Sequence, residues 1–257
     1  MPFSPRSFFW YELMTSDMKA AEAFYSGVVG WRAEPWAKPG SPPYTIVNAG
    51  DRGVGGIMDM PEEYCQSGGQ PAWFGYIRAD DADAAAEGVK KAGGTVHRPP
   101  TDIPGVGRFS IVADPQGVTF MLLQPDGPDQ PPVPAATPGH IGWHELYTTD
   151  WQKAFDFYSS QFGWTKGETM DMGEMGVYQL FAAGGEPVGG MMNKPEQIPA
   201  PFWQFYFNVT AIDKAAERVK ANGGQVLMGP MEVPGGAWIV QCLDPQGAAF
   251  ALSAPKR

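Results

Sequence analysis

Histidine and cysteine, two side chains that often hold catalytic metals, are scarce in this sequence of 257 residues, which has three histidines and two cysteines. The sequence is internally repeated, and Cys65 and Cys242 do not occupy matching places in the repeat. A structural disulfide or a zinc cluster is therefore not expected. We expect two reduced thiols, with Cys242 buried in an apolar strand and Cys65 in a polar loop.

Long apolar runs are also missing. No segment approaches the length of a membrane span, and no basic region precedes an apolar stretch at the N-terminus. These features predict a cytoplasmic protein without a membrane partner. Motifs of common enzyme classes are absent as well, since the sequence has no CxxC pair, Walker loop or nucleophile elbow.

Positive charge is in short supply: 18 Lys and Arg stand against 28 Asp and Glu, which gives a net charge of −10. Such a chain repels nucleic acid, so we expect no nucleic-acid partner, whereas a cationic ligand would be attracted. Aromatic residues make up 13% of the chain and include nine tryptophans. Either some of them line a binding surface or all belong to the core.

The sequence is written twice. Three segments return in the same order: WYELMTSD at 10–17 and WHELYTTD at 143–150, GG at 93–94 and 223–224, and DPQG at 114–117 and 244–247. A repeat of such length predicts two homologous globular domains, because the repeats of solenoids are far shorter.

A proline-rich segment separates the two copies. Residues 126–139 cannot support a helix or an inner strand, so we expect them to form an extended connector. The predicted domains are therefore residues 1–125 and residues 140–257. A homodimer of this chain stays open at this stage.

Hydrophobic periodicity divides each domain into two modules of the order βαβββ, which predicts an α+β fold. In the first half, Asp17 and Asp81 mark the starts of two helices, and glycines mark their ends. The second half predicts helices at 150–161 and 212–221. The strands predicted for the first half lie near 8–14, 31–36, 44–48, 54–60, 73–79, 95–98, 108–113 and 118–123.

This order, together with particular residues, resembles a known family. The signature consists of a strand ending in Thr15-Ser16-Asp17, then Phe24-Tyr25 and Gly30-Trp31, later Gly93-Gly94, and finally DPQG at 114–117. The chain is similar to the vicinal oxygen chelate superfamily of glyoxalase I, bleomycin-resistance proteins and extradiol dioxygenases, and within it to tandem glyoxalase-like proteins. The resemblance implies paired βαβββ modules that form U-shaped, partly open barrels, with the chemistry in the groove.

The resemblance also implies where a metal would be held, by His and Glu side chains on four strands of the groove. The positions that match three of these ligands carry other side chains: Trp10, Phe74 and Met121 in the first copy, and Trp143, Gln204 and Ala251 in the second. These groups do not replace imidazole and carboxylate around a divalent ion. We therefore expect no metal and no other cofactor.

Two carboxylates are the leading catalytic candidates. Period-two alternation places Glu12 on the strand face of Trp10, and Glu145 on that of Trp143. A carboxylate beside an indole could act as a general base with a raised pKa, or could attract a cation over the ring. The plainer alternative is that Glu12 and Glu145 only accept hydrogen bonds from neighbouring loops.

Further ligand-binding candidates come from matching positions on predicted groove strands, although each could instead belong to the core. They are Tyr44 and Tyr178, Trp73 and Trp203, and the divergent pair Arg108 and Trp238, which follow Pro-Gly turns that suit a lid.

Two functions remain open. In the first, the protein binds and sequesters a small aromatic ligand, either cationic or neutral, without a metal, as a resistance protein would. In the second, it is an enzyme, either glyoxalase-like with a rebuilt metal shell or a lyase or isomerase that uses Glu12 or Glu145 as its base. The hydrogen-bond partners of the two glutamates discriminate between these functions, since a saturated carboxylate favours binding or structure.

Overall fold

The computed structural model describes residues 6–37, 42–128 and 130–257. Residues 1–5 and 38–41 of the first predicted domain, and residue 129 of the predicted connector, lie outside the described residues. Among those that are described, no helix is long and apolar enough to cross a membrane.

The elements follow the predicted order. Those of the first half are β1 (Phe8–Thr15), α1 (Met18–Val28), β2 (Arg32–Pro35), β3 (Thr45–Ala49), β4 (Arg52–Asp59), α2 (Glu62–Gln66), β5 (Ala72–Arg78), α3 (Ala82–Lys91), β6 (Thr95–Ile103), β7 (Gly107–Ala113) and β8 (Thr119–Pro125). Those of the second half are β9 (Ile141–Thr148), α4 (Trp151–Phe162), β10 (Thr165–Asp171), a 3₁₀ turn (Gly173–Met175), β11 (Val177–Ala182), β12 (Pro187–Asn193), β13 (Phe202–Asn208), α5 (Ile212–Ala221), β14 (Gln225–Glu232), β15 (Trp238–Leu243) and β16 (Ala249–Ala254).

Each half of the chain builds one open eight-stranded sheet, and the strand orders are the same. The first sheet has the order β2-β3-β4-β1-β5-β8-β7-β6, and the second β10-β11-β12-β9-β13-β16-β15-β14. In both sheets the first strand of a module runs parallel to its fourth, as β1 does to β4 and β13 to β16. The predicted α+β class with two tandem domains is confirmed, and neither sheet closes into a barrel.

The predicted helix starts are confirmed by their caps. The carboxylates of Asp17, Asp81 and Asp150 accept hydrogen bonds from the backbone N–H groups three residues further on, at 2.9 to 3.1 Å. Each bond satisfies one of the donors that a helix start leaves without an intrahelical acceptor.

Two elements differ from the prediction. Strand β6 runs on to Ile103 instead of ending at Arg98, because register shifts against β7 accommodate Pro99 and Pro100. The short helix α2 was not predicted, since its five residues are too few to show a helical period.

By compactness the chain divides into two units. The first unit comprises Met1–Phe9, Phe74–Pro131 and His144–Trp203, and the second comprises Trp10–Trp73, Pro132–Trp143 and Gln204–Arg257.

The core of the first unit is organised around a buried chain of hydrogen bonds. The indole of Trp203 donates to the hydroxyl of Tyr158 at 3.0 Å, and that hydroxyl donates to the carboxylate of Asp114 at 3.2 Å. Asp114 also accepts from the backbone N–H groups of Gln116 and Val118, so it closes the DPQG turn between β7 and β8. Burial raises the pKa of Asp114.

The second unit repeats this arrangement with other residues. Trp73 donates to the hydroxyl of Tyr25 at 2.8 Å, and Tyr25 donates to Asp244 at 3.0 Å. Asp244 closes its own DPQG turn, and burial raises its pKa as well. We call each set of three residues a Trp–Tyr–Asp chain.

Candidate functional site

Strand β1 shows which face of the first sheet is covered by a helix. Leu13 is fully buried and pairs with Ile57 of β4, which pairs in turn with Thr45 of β3. The hydroxyl of Thr45 donates to Glu22 of α1, so this row faces the helix. Because side chains alternate along a strand, Glu12 lies on the opposite, helix-free face.

On the helix-free face, Glu12 is joined to two aromatic residues. Only 6% of Glu12 is exposed. The hydroxyl of Tyr44 donates to Glu12, and it accepts a hydrogen bond from the indole N–H of half-buried Trp10 at 3.1 Å. Burial, followed by the charge of Glu12, holds the pKa of Tyr44 well above its ordinary value. The structure thus brings together three residues that the sequence proposed as site candidates.

A glycine makes this contact possible. Gly56 pairs with Glu12 on one side and with Ile46 on the other. A Cβ atom at Gly56 would overlap the phenol of Tyr44, so only glycine leaves room for the ring. Gly56 was not among the candidates predicted from the sequence, although the repetition of Val-Gly-Gly at 54–56 and 188–190 is a signal for it.

The second copy places the matching residues around Glu145, which is 7% exposed. Glu145 pairs with Gly190 of β12, and a Cβ atom at Gly190 would overlap the ring of Tyr178. Trp143 lies two residues before Glu145 on β9 and is half-buried.

The histidines do not contribute a catalytic group to this face. His144 pairs with Gly189 in the row beside Glu145, its Nδ1 donates to the carbonyl of Val188 at 2.8 Å, and its ring stacks on Phe8. Burial lowers the pKa of His144 to about 4, so the imidazole is neutral at neutral pH. His97 lies exposed on β6, and half-buried His140 lies just before β9.

Two of the ligand-binding candidates lie in the cores instead. Trp73 and Trp203 are each 5% exposed and begin the two Trp–Tyr–Asp chains. Their indole N–H groups donate hydrogen bonds to tyrosine hydroxyls, so both residues occupy core positions.

Arg108 and Trp238 also lie away from the carboxylate face. Arg108 forms ion pairs with Asp83, in the first turn of α3, and with Asp102 of β6. Trp238 lies under the guanidinium of Arg257, which pairs with Asp213 in the first turn of α5. Each of the two side chains therefore points to the side of the sheet that a helix covers.

Comparison with known proteins agrees with this geometry. The model of the glyoxalase/bleomycin resistance protein/dioxygenase superfamily matches residues 7–122 and 138–252. The chain belongs to this superfamily. Within the superfamily, it is 33% identical to the protein named "Putative glyoxylase CFP32" of Mycobacterium tuberculosis, over 96% of this chain and 94% of the other. It is 32% identical to the anthracycline biosynthesis protein DnrV of Streptomyces peucetius, over 97% and 94%.

Solved structures of other superfamily members share the fold. The Mn(II)-bound glyoxalase from Novosphingobium aromaticivorans matches with a TM-score of 0.66 at 17% identity, covering 98% of this chain and 82% of that one. The 2,3-dioxygenase LapB from Pseudomonas sp. KL28 matches with a TM-score of 0.68 at 12% identity, covering 99% and 93%. At these identities the likeness concerns the fold alone.

The residues on the helix-free face do not fit the superfamily's metal. The described part of the chain contains no group of three or more His, Cys, Asp and Glu side chains that could hold an ion. Trp10 stands where the first ligand would be, and the neighbouring carboxylate of Glu12 accepts a hydrogen bond from Tyr44. Indole and phenol are poor ligands for a divalent ion, so no chemical step is assigned to a metal here.

Proposed function

We propose that the protein binds a small aromatic molecule with a cationic substituent, using the Trp10, Tyr44 and Glu12 cluster without a metal. The observation that carries this proposal is the hydrogen bond from Tyr44 to Glu12. A hydrogen bond to the charged form of a carboxylate favours that form and weakens it as a base. The cluster is therefore better suited to attract a cation than to abstract a proton.

The aromatic part of the ligand is supported by the indole beside the carboxylate. Trp10 is half-buried, so the residue is not enclosed in the core. An indole face attracts cations, and the net charge of −10 adds a favourable long-range field. The name of the relative DnrV points to polycyclic aromatic compounds, since anthracyclines are of this kind.

The proposal can be tested with two anthracycline probes that share their rings. One is an amino-sugar anthracycline with an ammonium group, and the other is its aglycone, which lacks that group. Both should quench tryptophan fluorescence on binding, and the amino-sugar probe should bind more tightly. Glu12→Gln and Glu145→Gln should each weaken binding of the amino-sugar probe by about 1 to 3 kcal/mol, the range for losing a charge-assisted contact.

The aglycone is the internal control, because neither substitution should change its affinity appreciably. Melting temperatures should stay close to that of the unchanged protein. If both variants instead lose stability markedly and bind both probes as before, the glutamates are structural and do not belong to the site.

An enzyme remains the second candidate because of one observation, the 33% identity to the mycobacterial protein named for a glyoxylase. In that case Glu12 or Glu145 would be the base of a lyase or isomerase. Replacing that glutamate with glutamine would then abolish turnover of the substrate while leaving its binding nearly intact. In the binding proposal the same substitution weakens binding itself.

A further inference from the structure

Gln204 of β13 is a buried amide with an unusual environment. It is 3% exposed, yet its side chain makes no hydrogen bond to any other residue that the structure describes. Gln179 of β11 is equally buried, but its amide donates to the carbonyls of Gly167 and Leu180 at 2.9 Å and accepts from Thr169 at 3.1 Å. Buried amides normally have such partners. Neither polar atom of Gln204 is among the fully enclosed side-chain atoms without a partner, so the amide is not sealed within the core.

The side chain of Gln204 belongs to the helix-free face of the second sheet. Its neighbours Phe205 and Phe207 point the other way, where the ring of Phe205 lies 5.2 Å from Tyr11 and that of Phe207 5.0 Å from Trp73. Alternation along β13 therefore directs Gln204 away from this aromatic core.

Next to Gln204 on that face lies a row of uncharged residues. Tyr206 pairs with Ala251 of β16, and Ala251 pairs with Gln241 of β15. The amide of Gln241 donates to the hydroxyl of Tyr206 at 3.0 Å, across the small side chain of Ala251. The Gln204 amide thus lies beside a polar but uncharged surface.

The matching row of the first sheet lacks both amides. There Tyr76 pairs with Met121, and Met121 pairs with Ile111, while Phe74 stands at the position of Gln204. The repeat therefore supplies the same backbone positions with and without these amides. A purely structural need of the fold would not require the amide, since the first sheet is built without it.

We propose that the amide of Gln204 binds a phenolic hydroxyl of the aromatic ligand, an inference that rests on the proposed binding function. A primary amide offers an N–H donor and a carbonyl acceptor, which match the acceptor and donor of a phenol. Because this row carries no charge, it suits a neutral substituent. Burial of the amide makes the pairing selective, since a ligand without the hydroxyl would leave the amide unsatisfied.

Two probes that differ in one group test this inference: 2-naphthol, and 2-methylnaphthalene, in which a methyl group replaces the hydroxyl. The unchanged protein should bind 2-naphthol about tenfold more tightly. Gln204→Met, which keeps the length of the side chain, should abolish that preference. Phe74→Met changes the matching residue of the first sheet and should retain it.

A measurement on the unchanged protein avoids any dependence on variant folding. The side-chain amide signal of Gln204, assigned by NMR through its contacts with Tyr206, should shift when 2-naphthol is added and stay in place with 2-methylnaphthalene. If the two probes bind equally, if the preference survives in Gln204→Met, or if the amide signal does not respond, the assignment of Gln204 is overturned while aromatic binding stands. If neither naphthalene and neither anthracycline binds, the proposed function itself falls, and this inference with it.

Discussion

The cores of the two compact units are alike, whereas the helix-free faces of the two sheets differ. Each core contains a Trp–Tyr–Asp chain with the same donors and acceptors in the same order. On the helix-free faces, by contrast, Phe74, Met121 and Ile111 correspond to Gln204, Ala251 and Gln241. The chain therefore repeats the residues that close each core. On the helix-free faces it repeats the Trp, Tyr and Glu positions of the proposed site but varies these three.

The residues that recur in both halves of the chain do so for two different reasons. Tyr25 and Tyr158 recur because each bridges an indole and a buried carboxylate, which is a demand of packing. Glu12 and Glu145 recur on the helix-free face, where packing against a helix places no demand on them. Repetition within the chain thus has a packing reason in the core, whereas on the open face it is what the proposed site would require.

The largest expected effect is a loss of stability when the buried aspartate of either core is replaced. Asp114→Ala removes the acceptor of Tyr158 and of the turn, so it should lower the free energy of unfolding by about 4 kcal/mol. Asp244→Ala should cost the same to within about 1 kcal/mol, because its bonds are equivalent. Urea unfolding followed by tryptophan fluorescence measures both values.

Asp51→Ala is the control for that pair, since Asp51 is exposed in a turn and its loss should be nearly neutral. A cost near zero for one of the two buried aspartates, with a large cost for the other, would break the comparison between the cores.

The next effect is a pH dependence of stability that His144 causes and that Tyr11, its counterpart in the first copy, does not. The pKa of His144 is lowered from 6.5 to about 4 by burial, so the unfolded chain takes up a proton in a range where the folded protein does not. Stability should therefore fall as the pH is lowered from about 6.5 to about 4, by about 3 kcal/mol in total. Denaturant unfolding at a series of pH values follows this loss.

His144→Phe should flatten that part of the pH profile, and a phenyl ring retains the stacking on Phe8. His97→Phe serves as the matched control, because His97 is exposed and its replacement should leave the slope unchanged. An unaltered slope in His144→Phe would show that other groups cause the acid sensitivity.

The smallest effect distinguishes the two thiols. Cys65 is exposed, whereas Cys242 is buried and its pKa is raised by burial to about 12. A thiol-reactive dye at pH about 8 should label one cysteine per folded chain and two in urea, because the thiolate is the reactive form. Folded Cys65→Ser protein should remain unlabelled, and rapid labelling of it would contradict the burial of Cys242.

The sequence predicted most of the fold because the signals were local. Asp17 and Asp81 cap helices within three residues of themselves, and the predicted helix at 212–221 has the bounds of α5. The contact of Tyr44 with Glu12 could not be predicted from such local signals. It depends on the register of β1 against β4, two strands far apart in the chain, and on the glycine between them.

Arg108 and Trp238 illustrate the limit of alternation. A period of two divides a strand into two faces but does not identify the face that a helix covers. That choice depends on distant partners such as Asp83 and Asp213, whose side chains reach the strands from α3 and α5. Gln204 was recognised only as a departure from a metal ligand, since its lack of partners is a property of the folded protein.

The Trp–Tyr–Asp chains also determine when each core can form during synthesis on the ribosome. Tyr158 and Asp114 are 44 residues apart, and the first unit is complete once Trp203 has emerged. Tyr25 and Asp244 are 219 residues apart, so the start of the chain must wait for nearly its entire translation before its core can close. Until then the aromatic residues of α1 stay without their final partners, so the nascent N-terminal half exposes apolar surface for longer.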